Sequence, residues 1–140
     1  MTALEASITD QFIRVSKAHR QLTAQELQKL GLHLGQEQTL FQLWEEDGLT
    51  QSQLADAACV DISTITRMVE RMESAGLLQR RPDPKDARIS RVYLTERGRA
   101  LREPVEQLWR TLEARLVQRL TVTEQALLRR MLIQMAANLT

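Results

Sequence analysis

Two predicted helices joined by a very short connection constrain the fold of this chain more than any other feature. The stretch Thr50-Gln51-Ser52-Gln53 matches a capping box, in which the Thr hydroxyl and the last Gln side chain satisfy backbone N–H groups. The helix that follows runs to about Ala58, and Asp61 is a favourable N-cap for another helix that ends at Gly76. Because only two or three residues connect them, the spacing predicts a helix-turn-helix.

A change of pattern after Gly76 predicts a β-hairpin. Residues 77–81 and 90–94 are short, the second segment alternates in polarity, and eight residues containing Pro and Asp connect them. A hairpin directly after a helix-turn-helix makes a winged helix, with the wing at about 77–94. Residues 80–91 contain five Lys or Arg although the net charge of the chain is only +1. This concentration of charge makes the wing the expected contact with a polyanion.

Amphipathic helices are predicted on both sides of this region. Leu4, Ile8, Phe12 and Val15 recur at three- and four-residue spacing, which predicts a first helix that continues to about residue 30. A helix over 36–46 is expected to point its apolar side chains inward and to stop at a glycine. These inward residues are Leu40, Phe41, Leu43 and Trp44.

The C-terminal third is predicted to form two helices. Thr95 caps a long helix from Glu96 to about Leu120, and Pro104 within it removes one backbone hydrogen bond, so we expect a kink at about 100–104. The segment 121–124 is another capping box and starts the last helix.

Composition favours one soluble, mainly α-helical domain over residues 1–140. Hydrophobic residues make up 43% and charged residues 26% of the chain, which are ordinary globular values. No apolar run approaches the roughly 18 residues that a membrane span needs, and the N-terminus lacks a signal-peptide pattern. We therefore expect a cytoplasmic protein without a membrane partner. The single cysteine, Cys59, excludes an internal disulfide framework.

The helix that starts after Asp61 has two different faces. Ile65, Met68, Val69 and Met72 fall in one sector and form the expected buried face. The opposite sector has short hydroxyl side chains and Arg67, with Ile62 and Arg71 at its edges. Ser and Thr can contact bases or phosphates, Arg can bind guanine, and an exposed Ile can meet a thymine methyl group. This pattern predicts a helix that reads the DNA major groove.

The order of elements and the stretch LTQSQLADAACVDISTITRMVERMESAGLLQRRPDPKDARISRVYLTERG resemble the MarR family of bacterial transcriptional regulators over nearly the whole chain. The strongest marker is Asp86-Ala87-Arg88, which matches the family's Asp-x-Arg, followed by Leu94-Thr95-x-x-Gly98. Two positions differ: the family commonly has Leu-Gly where this chain has Ala58-Cys59, and Ile62 occupies a place that is more often polar.

The resemblance implies a homodimer that binds a palindromic operator in double-stranded DNA. Residues 1–34 and 96–140 would form the dimerisation region, and residues 35–95 the winged helix-turn-helix. Arg88 would enter the minor groove with Asp86 orienting it, and the helix after Asp61 would face the major groove. The expected DNA contacts are Thr50, Gln51, Ser52, Ile62, Ser63, Thr64, Thr66, Arg67, Arg71, Arg80, Lys85, Asp86, Arg88 and Arg91. The expected dimer contacts are Leu4, Ile8, Phe12, Leu112, Leu116, Leu128, Met131, Leu132, Met135 and Leu139.

We hypothesise that the protein represses transcription and that a small-molecule effector between the dimer arm and the winged domain releases it from DNA. Trp44 and Trp109 are candidates for the effector site, although Trp44 fits the core better. The alternative is a winged-helix module that binds proteins, or that binds DNA without sequence preference.

Other chemistries have little support in the sequence. No glycine-rich phosphate loop, nucleophile elbow or metal motif is present, so we expect neither an enzyme nor a cofactor. His19 and His33 lack the spacing of a metal site, and none is expected. Cys59 is expected to act as a small apolar residue and not as a redox sensor.

Overall fold

The computed structural model describes residues 2–140 as a mainly α-helical chain with one small sheet. The helices are α1 Ile8–Lys29, α2 Gln36–Glu45, α3 Gln51–Ala58, α4 Ile62–Ser74, α5 Glu96–Ala100, α6 Arg102–Leu116 and α7 Val122–Leu139. The strands are β1 Leu49–Thr50, β2 Leu78–Pro82 and β3 Ser90–Leu94. The predicted fold class, mainly α with a winged helix-turn-helix, is confirmed.

Backbone contacts divide the chain into one unit that ends at Leu108 and a second that spans Trp109–Thr140. The boundary falls inside α6. The first unit contains the helix-turn-helix, the sheet and α1. A single domain over residues 1–140 therefore stays a prediction, and its first residue, Met1, lies outside the described residues.

The sheet is antiparallel and has the strand order β1-β3-β2. Strands β2 and β3 form the predicted hairpin, in which Leu78 is paired with Leu94 and Pro82 with Ser90. The first strand of this hairpin begins one residue later than predicted. Strand β1 was not predicted, because a two-residue strand shows no alternation and exists only through its pairing with β3.

A hydrophobic core lies beneath the helix-turn-helix. Ile65, Val69 and Met72 of α4 are all buried, which confirms three of the four predicted inward residues, and Met68 is half-buried. Burying a side chain of this kind contributes roughly 1.5–3 kcal/mol. Other core residues of the first unit include Leu40, Leu43, Leu54, Leu77, Leu78, Val92, Leu94 and Val105.

Trp44 and Phe41 lie at the margin of the core. Both are half-buried and meet edge to face, with ring centroids 5.4 Å apart. The indole N–H of Trp44 donates to the carbonyl oxygen of Gly98 at 3.0 Å. A Cβ on Gly98 would press against the Leu77 carbonyl, so only glycine allows this close approach between α5 and the start of the wing.

Two helix boundaries differ from the prediction. Helix α1 begins at Ile8, because the Ser7 side chain accepts a hydrogen bond from the Asp10 N–H at 3.0 Å, and this cap leaves Leu4 outside the helix. The long C-terminal helix is interrupted at Leu101 and ends at Leu116, four residues earlier than expected. The interruption lies within the predicted kink, where Pro104 has no N–H to donate to the Ala100 carbonyl.

The terminal helices bury little within the single chain. Helix α7 starts with the predicted capping box at Thr121 and Glu124, yet none of its 18 residues is buried. Helix α1 buries only Thr23 and Leu27 of its 22 residues. No helix in residues 2–140 has both the length and the apolar character that crossing a bilayer requires.

Candidate nucleic-acid interface

The start of α3 has the hydrogen bonds that the sequence predicted. The Thr50 hydroxyl accepts from the Gln53 N–H at 3.1 Å, and the Gln53 side chain accepts from the Thr50 N–H at 2.9 Å. This reciprocal cap satisfies two backbone donors. The next donors belong to Gln51 and Ser52, which lie on the first turn of the helix. Their N–H groups are therefore suitably placed for the phosphate contact expected here.

The turn between α3 and α4 adopts a left-handed conformation without a glycine. Cys59, the C-cap of α3, has φ 54° and ψ 40°. Its N–H donates to the carbonyl of Asp56, and the Val60 N–H donates to that of Ala55 at 3.1 Å. A side chain in this conformation costs about 1–2 kcal/mol relative to glycine. The chain thus keeps the turn geometry at the position where the expected glycine is missing, and accepts local strain.

Asp61 caps α4 and carries a firmly held negative charge. Its Oδ1 accepts from the Ser63 hydroxyl and from the Thr64 N–H, both at 2.7 Å. These hydrogen bonds lower the pKa of Asp61 from its ordinary value to about 2, and the bond from Ser63 contributes most. The carboxylate is therefore ionised at any pH at which the protein would meet DNA.

The outer face of α4 presents the side chains expected to meet the major groove. Ile62, Ser63, Arg67 and Arg71 are exposed, whereas Thr66 is half-buried and its hydroxyl donates to the Ile62 carbonyl at 2.8 Å. Thr64 is also half-buried. With Arg67 and Arg71 it lines a surface cavity of about 260 Å³ whose other lining residues are His33, Leu34, Gln36 and Met68.

An ion pair between Arg88 and Asp86 orders the tip of the wing. The Arg88 guanidinium donates from Nε to Oδ1 of Asp86 and from Nη2 to Oδ2, each at 3.0 Å. These contacts lower the pKa of Asp86 and raise that of Arg88. The Arg88 side chain is nevertheless 91% exposed. A bidentate pair of this kind holds the guanidinium in one orientation while leaving it accessible, as the sequence predicted.

Arg80 is held against α4. Its backbone N–H and guanidinium both donate to the Glu73 carboxylate, at 2.9 and 3.0 Å, and Glu70 lies 3.6 Å from the guanidinium. These hydrogen bonds, led by that from the Arg80 N–H, lower the pKa of Glu73. The expected contact of Arg80 with DNA stays a prediction, and its guanidinium joins the wing to α4.

Arg91 also has partners within the protein. It donates to the Gly48 carbonyl at 2.8 Å and lies 3.5 Å from the Asp83 carboxylate, so it links β3 to the residue before β1 and to the wing loop. Lys85 is exposed at the tip, between the two aspartates of that loop. Thus Lys85 and Arg88 extend toward solvent, while Arg80 and Arg91 brace the wing.

The start of α3 and the wing come together around one cavity. It has a volume of about 330 Å³ and is lined by Gln51, Arg80, Arg81, Pro82, Ala87, Arg88, Ile89 and Ser90. The side-chain oxygen of Gln51 is buried and has no hydrogen-bond partner in the described part of the chain. The structure therefore brings Gln51 and Arg88, which are 37 positions apart in sequence, to one site.

A second cavity of about 330 Å³ lies inside the helix-turn-helix. Its walls come from α2, α3 and α4 and are mainly apolar. Gln38, Thr39 and Gln42 add polar groups, and Ile65 and Met68 contribute the surface of α4. Neither this cavity nor any other place within residues 2–140 brings together three His, Cys, Asp or Glu side chains that could hold a metal ion.

Reasoning from sequence missed Glu73 and Asp47 as parts of this region. Glu73 holds Arg80, and the Asp47 carboxylate accepts from the Leu94 N–H at 2.9 Å at the end of the sheet. The only signal was that Glu73 precedes Arg80 by seven positions, and this spacing does not match that of an ion pair within one helix.

The residues expected at a dimer interface are mostly accessible. Leu4, Ile8 and Phe12 are exposed, as are Leu116, Met131, Leu132 and Leu139, and Leu128 and Met135 are half-buried. Leu112 is different, because it is only 5% exposed within the single chain. Its contact with a second protomer stays a prediction.

Comparisons with known proteins agree with this geometry. The family model of the MarR family matches residues 32–90. The HTH-type transcriptional repressor Rv2887 of Mycobacterium tuberculosis is 31% identical over 125 residues, which cover 89% of this chain and 90% of that protein. The match to the transcriptional regulator YybA of Bacillus subtilis is 29% identical and shorter, covering 61% of this chain and 57% of that regulator.

Solved structures show the same architecture. The crystal structure of a mutant MarR from E. coli, complexed with operator DNA, matches with a TM-score of 0.83 and 28% identity. The match covers 96% of this chain and 99% of that one. Together with the sequence relatives, it confirms the family that the sequence resembles. The chain belongs to the MarR family of transcriptional regulators.

Proposed function

We propose that the protein is a transcriptional repressor that binds a palindromic operator as a homodimer and is released by a small-molecule effector. The observation that carries the proposal is the wing tip, where Asp86 holds Arg88 in one orientation while 91% of its side chain remains exposed. An oriented and accessible guanidinium suits the narrow, electronegative minor groove. The relative Rv2887 is named a transcriptional repressor, which supports repression and not activation.

In this proposal three surfaces of the winged helix contact DNA. The outer face of α4, with Ser63 and Arg67, lies in the major groove, the wing tip lies in the minor groove, and the first turn of α3 contacts phosphates. Two protomers related by a two-fold axis place their recognition helices about 10 bp apart, centre to centre.

The unburied terminal helices support the homodimer. Leu132 and Met131 are 42% and 41% exposed, and α7 contains no buried residue in the single chain. Monomeric proteins rarely expose extended apolar surfaces of this kind, because covering them removes apolar area from water. A second copy of the chain would cover these helices.

The test is binding of the purified protein to fragments of its own upstream region, with random DNA as competitor and at two salt concentrations. We expect one fragment to bind tightly in the presence of competitor, and Arg88→Ala to weaken this binding by roughly 10- to 100-fold. Lys17→Ala is the matched control, because it removes the same charge from an exposed position on α1 outside the winged helix. Equal loss in both variants would indicate a nonspecific charge effect.

The same experiment distinguishes the alternative function. Equal binding to all fragments, with a steep salt dependence, would favour a module that binds DNA without sequence preference. Absence of binding to any fragment would favour a module that binds proteins.

The cavity between α2, α3 and α4 supports the effector part of the proposal, although it differs from the place between the dimer arm and the winged domain that the sequence led us to expect. A ligand there would touch Ile65 and Met68 and therefore bear directly on the recognition helix. Its volume and mainly apolar walls suit a small aromatic or aliphatic molecule. We expect one member of a panel of phenols and aromatic acids to lower operator affinity. Unchanged affinity with every member of the panel would count against release by this class of effector.

A further inference from the structure

We propose that Ile62 makes the operator specific for thymine by contacting the C5-methyl group of one thymine in each half-site. This inference rests on the proposed function and deepens it, because it names a base that the recognition helix selects. Ile62 is the first residue of α4 and is 55% exposed. Val60, which precedes the N-cap, is 41% exposed. An apolar patch therefore lies at the end of the helix that is expected to point into the major groove.

The hydroxyl groups beside Ile62 are already engaged as donors. The Ser63 hydroxyl donates to Asp61 at 2.7 Å, and the Thr66 hydroxyl donates to the Ile62 carbonyl at 2.8 Å. Each hydroxyl has one proton, so both can act toward a base only as acceptors. The Asp61 carboxylate is also an acceptor.

This distribution of donors disfavours guanine opposite the start of α4. Guanine presents two acceptors, N7 and O6, in the major groove, whereas the protons of the Ser63 and Thr66 hydroxyls are already donated within the protein. Arg67 is exposed one and a half turns further along and can supply donors there. Helix α4 thus presents the apolar Ile62 to the DNA at its start and the basic Arg67 further along.

Thymine is the unmodified base that presents an apolar group in the major groove. Its C5-methyl group offers Ile62 a contact that cytosine lacks. Burying this methyl group against an aliphatic side chain is favourable because it removes apolar area from water. We expect loss of the methyl group to weaken binding by ~4-fold per half-site.

The experiment begins with selection of binding sites from a library of random-sequence DNA duplexes. Each thymine of the selected site is then replaced in turn by uracil, which removes only the C5-methyl group. Affinity is measured for the wild type, Ile62→Ala, Ile62→Val and Arg88→Ala. Because Ile62 is exposed, its truncation leaves the core unchanged, and circular dichroism with thermal melting checks the fold of each variant.

The expected result is one thymine per half-site at which uracil weakens the wild type but not Ile62→Ala. Ile62→Val, which keeps part of the side chain, is expected to show an intermediate ratio. Arg88→Ala is the matched control: it should bind both DNAs more weakly and keep the wild-type ratio between them. Cytosine at the same position should bind weakly, and 5-methylcytosine should restore part of the affinity.

Two results would overturn the inference while leaving the proposed function intact. Uracil could have no effect at any position of a tightly bound site, or it could weaken wild type and Ile62→Ala by the same factor, which would assign the methyl contact to another residue. If the library yields no preferred sequence, the proposed function fails as well, and the inference with it.

Discussion

Helices α4 and α7 both contain many apolar residues but have very different surroundings. Helix α4 buries Ile65, Val69 and Met72 in the core beneath the helix-turn-helix. Helix α7 is five residues longer, with 18 residues against 13, and buries none. The hydrophobic effect favours the burial of apolar side chains in both helices. The difference indicates that contacts within the chain stabilise α4, whereas the apolar side chains of α7 are not covered in the single chain. In our proposal a second protomer covers them.

The largest expected effect on self-association comes from a charge placed among the exposed apolar side chains of α7. Leu132→Asp would bury an unpaired carboxylate in the proposed dimer, and we expect the dimer to weaken by roughly 100-fold or more, about 3 kcal/mol. Sedimentation velocity over a range of protein concentrations measures the change. Operator binding should fall with it.

Val122→Asp is the matched control for this variant. Val122 is 82% exposed on the first turn of the same helix, where a negative charge is favourable. The dimer should therefore persist in this variant. If Leu132→Asp also remains dimeric, α7 does not form the interface, and the contrast between the two helices has another cause.

A methionine-to-alanine pair tests the same contrast with identical chemistry. Met72 is fully buried in α4, and Met131 is 41% exposed in α7. Met72→Ala leaves a cavity, so we expect it to lower the free energy of unfolding by roughly 2–5 kcal/mol without changing dimer affinity under native conditions. Met131→Ala should instead weaken the dimer, by about 1 kcal/mol.

Urea denaturation and sedimentation equilibrium separate these two effects. A loss of dimer affinity in Met72→Ala would show that the core and the interface are energetically linked. An unchanged dimer in Met131→Ala would place this side chain outside the interface.

A small gain in stability is expected at the turn of the helix-turn-helix. Cys59 has φ 54°, so Cys59→Gly should stabilise the protein by about 1 kcal/mol. Cys59→Ala keeps a Cβ and is the control, since it should retain the strain. Thermal unfolding monitored by circular dichroism measures both variants. Equal stability of the two variants would show that the left-handed conformation is not a source of strain, and that the first unit is optimised at its turn as well as in its core.

Local hydrogen bonds explain why most helix starts could be predicted. Thr50, Asp61, Thr95 and Thr121 each accept from an N–H three residues later, as their sequence positions indicated. Such caps depend only on neighbouring residues, so a single sequence contains the information. The same holds for Asp86 and Arg88, two positions apart at the wing tip.

Contacts between distant parts of the chain could not be predicted in this way. Strand β1 exists through pairing of Leu49 with Val92, 43 positions later. The basic residues of the wing also look equivalent in sequence, although Arg80 is tied to Glu73 while Arg88 is exposed. Their roles depend on which acidic side chains the fold brings near.

The sequence by itself determined the order of the helices, their caps, the hairpin and the family to which the chain belongs. The helices, their caps and the hairpin follow from periodicity and from hydrogen bonds within a few residues, whereas the family follows from the resemblance of motifs such as Asp86-Ala87-Arg88. Only the tertiary structure decided which arginines brace the wing and which one reaches outward, and that Gln51 meets the wing. The physical reason is that burial and ion pairing depend on distances in space, and the packing of the whole unit determines those distances.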